Sequence, residues 1–289
     1  MGRGQGLAEE GLSGRPQIVV LEPHGFCAGV AAALRKARAF CAVGGAFCLH
    51  EIVHNPQVVE SLRRSGLKFV DDIDEVPEGG RVLFSAHGAS PQTRERARRR
   101  GLEVVDATCP FVERVHEAAR AFASRGLKVV VAGYRNHAET AGILGEASGA
   151  VAVSSAAEAE AFAASLPRGE KIGVVSQTTM DARETERIVA ALSERLEVEA
   201  QAQVCGATKE RQDAVRAFDG DLLVVLGGAN SSNTRRLCEV ARCRAARVAT
   251  LGELEALDIA GARRIGVTSG ASTPEDFLRE AVRVLGDMV

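Results

Sequence analysis

The sequence predicts an α/β protein built on largely parallel sheets, and three observations carry that prediction. Short apolar runs alternate with amphipathic stretches of helical spacing along most of the chain. Hydrophobic residues make up 46% of the 289-residue chain, yet there is no Trp and aromatics account for only 4%, so the core must be aliphatic, as βα units are. The residues with chemical potential fall where a strand-like run ends and a helix begins, which is where sheets of this kind place their sites. The length suits about two ordinary domains, or one compact unit of several lobes.

Taken in order, the chain opens with MGRGQGLAEEGLSGR, which lacks the apolar centre of a signal peptide, and residues 1–15 are expected to form a flexible tail. The first strand is expected at Ile18 to Leu21. Further strands are expected at Arg81 to Ser85, Glu103 to Asp106, Lys128 to Ala132, Lys171 to Val175, Leu222 to Leu226 and Arg264 to Thr268. Between them, apolar residues three and four apart mark helices at Val112 to Ser124, Ala182 to Leu196 and Glu275 to Leu285. Ser90-Pro91 and Thr273-Pro274 each set a capping hydroxyl before a proline at the first helical position, and Glu275 and Asp276 fill the first turn of the last helix. The basic run RERARRR (94–100) has no interleaved aromatic to stack a base, and reads as the solvated face of a short helix. A formal net charge of −2 gives no general pull toward nucleic acid or membrane, and no apolar run approaches the ~18 residues of a membrane span.

Seven cysteines without a secretory signal point to a reducing compartment, the cytoplasm, and to thiols or metal rather than disulfides. Three of them share one context. Cys27 in GFCAGV, Cys109 in ATCP and Cys205 in CGAT each follow a β-like run and open a predicted helix, the last running through Phe218. A helix N-terminus carries partial positive charge and unpaired N–H groups, and so favours a thiolate or an anionic ligand set. These cysteines lie about a third of the chain apart, unlike the close pairs of zinc ribbons or the tight runs of ferredoxins. Two readings stand open on spacing alone: buried small side chains, or three thiolates around one shared ion or cluster. Three thiolates can hold a 4Fe-4S cubane by three irons and leave the fourth open. Cys41, Cys48, Cys238 and Cys243 have no such corner and are expected to pack in the core.

His54 in EIVHNP, His87 in FSAHGAS and His137 in GYRNHAET all sit in polar or small-residue loops. One such histidine is ordinarily just solvated, but three in equivalent places suggest a cationic or proton-donating wall. The loop ANSSN (229–233), placed between the strand ending at Leu226 and a helix from Thr234, gathers hydroxyls, a carboxamide and free N–H groups. Capping explains one of these side chains and does not need Ser231, Ser232 and Asn233 together, so an anion site is expected. There is neither a P-loop nor a dinucleotide-binding glycine motif, nor H-E-x-x-H. A bound diphosphate would therefore be held by His, Ser, Thr and Asn side chains.

GFCAGV, VHN, FSAHG, DATCP, HAE, SQTT, CGAT followed by RQ, NSSN and TSGAS occur in the order found in the 4-hydroxy-3-methylbut-2-enyl diphosphate reductase family, which the chain resembles from about Ile18 to Val289. The resemblance implies three pseudo-symmetric α/β lobes around a central cavity that holds the cluster. They would comprise 29–109, 110–201, and 16–28 joined with 202–289. It implies one 4Fe-4S cluster on Cys27, Cys109 and Cys205. His54, His87, His137, Ser231, Ser232, Asn233 and Ser272 would bind the allylic diphosphate, and Thr178 would lie beside its hydroxyl oxygen. Glu139, two residues after His137, would supply protons, giving isopentenyl and dimethylallyl diphosphates. A one-electron donor such as ferredoxin or flavodoxin is implied, with no nucleic acid or membrane partner.

The chain departs from the family pattern in four places. His24 stands where Arg is common, Ala31 and Ala32 replace an acidic-basic pair, and the loop carrying Ala229 lacks a lysine. Two other classes remain as alternatives: a non-catalytic iron-sulfur redox sensor, and a metal-free hydrolase using a Cys109–His87 pair.

Overall fold

The computed structural model describes residues 15–289, so the expected tail lies, but for Arg15, outside the described residues. Three four-stranded sheets, parallel throughout, organise the described residues. The first contains β2 (Ala46–Leu49), β3 (Lys68–Val70), β4 (Arg81–Phe84) and β5 (Glu103–Asp106), in the order β3-β2-β4-β5. The second contains β6 (Lys128–Ala132), β7 (Val151–Val153), β8 (Lys171–Ser176) and β9 (Glu197–Gln201), in the order β7-β6-β8-β9. The third is ordered β11-β10-β12-β1, from β10 (Leu222–Leu226), β11 (Arg244–Val248), β12 (Arg264–Ser269) and β1 (Gln17–Val20).

One topology is thus repeated three times: second, first, third, fourth. In the third lobe the fourth place is filled by the chain's first strand, with Ile18 opposite Ile265. A parallel neighbour needs no tight turn, so the chain can leave this sheet at the start and return to it at the end.

Each sheet is covered on both faces, which is why its central strands read as unbroken aliphatic runs. Val130, Ala132, Ile172 and Val174 pack one face of the second sheet, while Val129, Val131 and Val175 pack the other with Phe122. Leu222, Val224 and Leu226 face the last helix through Phe277, Ala281 and Leu285, while Leu223 and Val225 meet Phe218 and Val215. Cys48 is fully buried in β2, while Cys41 packs against the core of the first lobe and Cys238 and Cys243 against that of the third.

The helices that position the site are α1 (Ala28–Cys41), α4 (Pro110–Ser124), α5 (Ala138–Leu144), α8 (Gly206–Ala217) and α9 (Ser232–Val240). Ser90 caps α3 (Pro91–Arg99) as predicted, accepting from the Thr93 N–H at 3.2 Å. Thr273 does not cap α11 (Glu275–Met288). Its hydroxyl donates instead to the Leu226 carbonyl at 3.0 Å, because burial there leaves that carbonyl as its partner and Pro274 takes the cap position. The α9 helix starts two residues before the expected Thr234, since the Ser231 hydroxyl already accepts from the Thr234 N–H. Ser232 and Asn233 therefore belong to its first turn. The helix of α7 (Ala182–Ser193) stops short of the expected Leu196, which enters the turn before β9.

Lobes two and three are joined by a buried ion pair, Arg216 to Asp181 at 2.5 Å. Arg211 of α8 donates to the Gly25 carbonyl at 2.9 Å, tying the helix behind Cys205 to the loop before Cys27. No helix among the described residues is long and apolar enough to cross a membrane.

Candidate active site

The repeated topology puts equivalent strand ends at one place. The fourth strands β1, β5 and β9 lead to Cys27, Cys109 and Cys205, each the N-cap of the helix that follows. The first strands β2, β6 and β10 lead to His54, to His137 with Glu139, and to Ser231 with Ser232 and Asn233. The third strands β4, β8 and β12 lead to His87, Thr178 and Ser272. All of these residues line one cavity of about 110 Å³.

The three cysteine corners meet closely. A Cβ built on Gly29, in the first turn of α1, would lie 2.5 Å from the Cys109 Sγ and 3.9 Å from the Cys27 Sγ, so the helix is shaped around those sulfurs. Cys27 Sγ accepts from the Val30 N–H at 3.4 Å, and Cys205 Sγ lies 3.0 Å from the Thr208 hydroxyl. Burial pushes the Cys109 and Cys205 thiols up; helix N–H groups at Phe111 and Val112, and Thr208, oppose this, while the Cys27 thiol and Glu139 add to it. All seven cysteines are free. Among the described residues no group of three His, Cys, Asp or Glu side chains closes on a single ion. A cluster asks for something else, since its thiolates bind different irons and need not meet at a point. Three thiols at helix N-termini, with a glycine vacating the space between two of them, fit such a group.

The imidazoles form a second cluster. His54 and His87 stack with centroids 4.3 Å apart, and His137 meets both edge-on at 5.7 Å. Burial, then the neighbouring His54 and His137, holds His87 well below the ordinary histidine range. His137 is lowered to about 4 by burial, by His54 and by Arg235. His87 and His137 are therefore neutral donors and acceptors near neutral pH, which favours the proton-donating over the cationic form of the wall expected from sequence. Three mutually close imidazoles cannot all carry charge in a buried place.

Glu139, the expected proton donor, is 1% exposed. Its Oε1 accepts from the Thr178 N–H at 2.6 Å and its Oε2 from the Thr178 hydroxyl at 3.1 Å. Burial raises its pKa to about 7, against the lowering effect of those two bonds. In the same cavity, both amide atoms of buried Asn233 lack a partner among the described residues, an arrangement that points to a ligand. Ser231, Ser232 and Ser272 are likewise buried beside it.

Four residues in or behind the site were not singled out from sequence. Gln177 accepts from the Tyr134 N–H and the Thr140 hydroxyl and donates to Thr179 and Ser232, linking the second lobe to the anion loop. Thr208 bonds Cys205. Gln177, Thr179 and Thr208 lay inside SQTT and CGAT, so membership of those motifs was the available signal. His116 lies on the buried face of α4 and contacts Glu146 at 2.6 Å; its signal was its place four residues after Val112 and three before Ala119, within the apolar stripe of that helix. A Cys109–His87 dyad is not formed: the His87 Nδ1 lies 3.4 Å from the Ser85 hydroxyl, and the Cys109 thiol is pushed up where a nucleophile needs it lowered.

A three-lobed parallel α/β chain whose strand ends bring thiols, imidazoles, hydroxyls and a buried acid to one cavity defines an enzyme class with a shared-ligand centre. The profile of the LytB protein family matches residues 18–286, and the chain belongs to that family. It is similar to the 4-hydroxy-3-methylbut-2-enyl diphosphate reductase of Anaplasma marginale, 37% identical over 287 residues that cover 95% of this chain and 84% of that protein. The protein of the same name from Methylococcus capsulatus is 39% identical over 283 residues, covering 93% and 90%. The solved E-1-hydroxy-2-methyl-but-2-enyl-4-diphosphate reductase of Plasmodium falciparum superposes with a TM-score of 0.88 at 30% identity, over 93% of this chain and 87% of that one. A second solved structure, of the (E)-4-hydroxy-3-methyl-but-2-enyl diphosphate reductase that is the terminal enzyme of the non-mevalonate pathway, gives 0.64 at 32% identity, over 95% of this chain and 100% of that one.

Proposed function

We propose that this chain reduces 4-hydroxy-3-methylbut-2-enyl diphosphate to isopentenyl and dimethylallyl diphosphates with two electrons and two protons, the terminal step of the non-mevalonate pathway. The observation that carries the reading is one carboxyl group. Glu139, buried and still protonated up to about pH 7, opens onto the same cavity as three thiols and an unpartnered amide. Cys27, Cys109 and Cys205 would hold one 4Fe-4S cluster by three of its irons; when bound, this group supplies electrons and a Lewis acid to the allylic oxygen.

The remaining steps belong to side chains. Ser231, Ser232, Asn233 and Ser272 donate to the diphosphate from the start of α9 and the end of β12, where the helix N-terminus favours an anion. His54, His87 and His137 donate N–H groups, and His87 and His137, held neutral, do so without the cost of a buried positive charge. Glu139 gives its proton to the departing hydroxyl so that it leaves as water, and Thr178 orients both the acid and the hydroxyl. Within the cavity these groups line, the substrate is surrounded by fixed donors in place of water, which strengthens each of these bonds.

The chain takes its electrons from a one-electron carrier such as ferredoxin or flavodoxin, works in the cytoplasm, and needs no nucleic acid or membrane. Its lobes divide at 29–109, 110–201, and 16–28 with 202–289, a division supported by which strands share a sheet. Anaerobic assay of the reconstituted protein with a reduced one-electron dye tests the reading. Both isopentenyl and dimethylallyl diphosphates are expected. A brown protein that binds the allylic diphosphate and never reduces it would replace the reductase with a redox sensor.

A further inference from the structure

The inner cavity opens past His54, His137 and Ser232 into a wider vestibule of about 700 Å³. That vestibule carries charge which the binding scheme above does not use. Arg235 lies three residues after Ser232 on α9, so both face the same way. Its guanidinium stacks on the Tyr134 ring at 5.0 Å. The carboxylate near it, Glu239, is 3.7 Å away and is engaged by Arg236, which also donates to the Tyr134 hydroxyl. Arg236 thereby fixes the platform on which Arg235 rests and takes up the charge that would otherwise neutralise it. Arg135, exposed on the same rim, makes no ion pair among the described residues.

The carboxylates of the mouth are placed differently. Glu51 is engaged by His54 at 3.2 Å, and Asp71 is fully exposed, 3.9 Å from His50. The loop 227–230, which leads into the anion site, contains no cation of its own. Arg235 is also near enough to His137 to depress its protonation. Tyr134 connects inward as well, since its N–H donates to Gln177, whose amide donates to the Ser232 hydroxyl at 3.2 Å.

We propose that Arg235, with Arg135 beside it, captures the distal phosphate of the substrate's diphosphate at the mouth and holds it while the hydroxyls and imidazoles inside take the rest. This rests on the reductase reading and adds to it the groups that admit and orient the anion. A rim cation acts on encounter and ground-state binding more than on chemistry, and its effect is screened by salt.

Arg235→Gln, Arg235→Lys and Arg279→Gln separate this role from a structural one; Arg279 is exposed on α11 and, among the described residues, pairs only with Asp276 one turn before it. In Arg235→Gln the KM for the allylic diphosphate should rise by roughly tenfold while kcat stays within about twofold, as expected for lost uniform binding of one charge. The salt dependence of kcat/KM should flatten, inorganic diphosphate should inhibit more weakly by a similar factor, and Arg235→Lys should recover most of each. KM, salt dependence and diphosphate inhibition in Arg235→Gln equal to those of Arg279→Gln would overturn the assignment. Direct binding of inorganic diphosphate distinguishes the two levels of the argument. If Arg235→Gln weakens it but wild type reduces no substrate, the reductase reading falls and the capture site stands.

Discussion

Glu139 shows most clearly how neighbours decide what a side chain can do. The two bonds from Thr178 favour its charged form, and complete burial outweighs them, so the pKa comes to rest at about 7. A carboxyl poised there holds its proton below neutrality and can still surrender it, which is the condition for a general acid. Activity should therefore fall as pH rises through about 7, where the acid form is lost. Glu139→Gln keeps the shape and removes the proton. Turnover should drop by roughly 10²- to 10⁴-fold with substrate binding retained, and the alkaline limb attributable to this group should vanish from the pH profile of single turnovers. Unchanged turnover would move the proton path to His137 or a water. The residue itself was legible in HAE, but its burial was not, because Thr178, whose N–H and hydroxyl donate to it, lies on the neighbouring strand end of the same lobe.

Among elements, the corners matter more than the strands or helices they join. Each cysteine caps a helix, and α1 adds a requirement that the sulfurs alone do not reveal. Gly29 is needed because a methyl group there would sit 2.5 Å from the Cys109 sulfur, well inside contact distance. Gly29→Ala should therefore fold but bind fewer irons per chain than wild type after anaerobic reconstitution, since either α1 or the Cys109 sulfur must shift. A full iron complement would mean that the corner tolerates the movement. The strands that could be read from sequence were those carrying an apolar run, most of them central and doubly covered, such as Leu222–Leu226 and Lys128–Ala132, with the edge strands β1 and β5 legible through Ile18-Val19-Val20 and Val104-Val105. Those that could not were short or one-sided: β9 (EVEAQ) and β11 (RAARV) are edge strands with much exposed surface and no aliphatic run. β2, although internal to its sheet, offers only four residues between a glycine pair and the bend at His50. Thr273 misled for a related reason, since a hydroxyl before proline signals a cap only where no buried carbonyl competes for it.

At the scale of the whole molecule, three lobes contribute to one buried polar centre, and that has a cost in acid. His137 titrates near 4 when folded and near 6.5 when unfolded, because burial and its charged or imidazole neighbours disfavour the cation. The unfolded chain thus binds more protons between those values, so the contribution to stability is full above about pH 6.5 and is lost as pH falls toward 4. His87 acts in the same direction. Glu139, with its raised pKa, acts oppositely, contributing most below about pH 4.5 and losing that contribution as pH rises through about 7. Urea unfolding of the iron-free protein should show a shallower rise in stability between about pH 4 and 6.5 in His137→Asn than in wild type. Equal slopes would place the burden on other groups. The three-lobed plan entered the sequence reading through ordered motifs rather than through periodicity. No local pattern announces that β1 belongs beside β12, because the pairing joins opposite ends of the chain.

The central claim is that three equivalent corners, and no other cysteines, build one shared centre. Iron and acid-labile sulfide, measured in the seven single Cys→Ser variants after anaerobic reconstitution, test it most directly. Loss of both is expected in Cys27→Ser, Cys109→Ser and Cys205→Ser, with wild-type content in the variants of Cys41, Cys48, Cys238 and Cys243, whose side chains pack away from the cavity. A full cluster in Cys109→Ser, or its loss in a core variant that folds normally, would contradict the account.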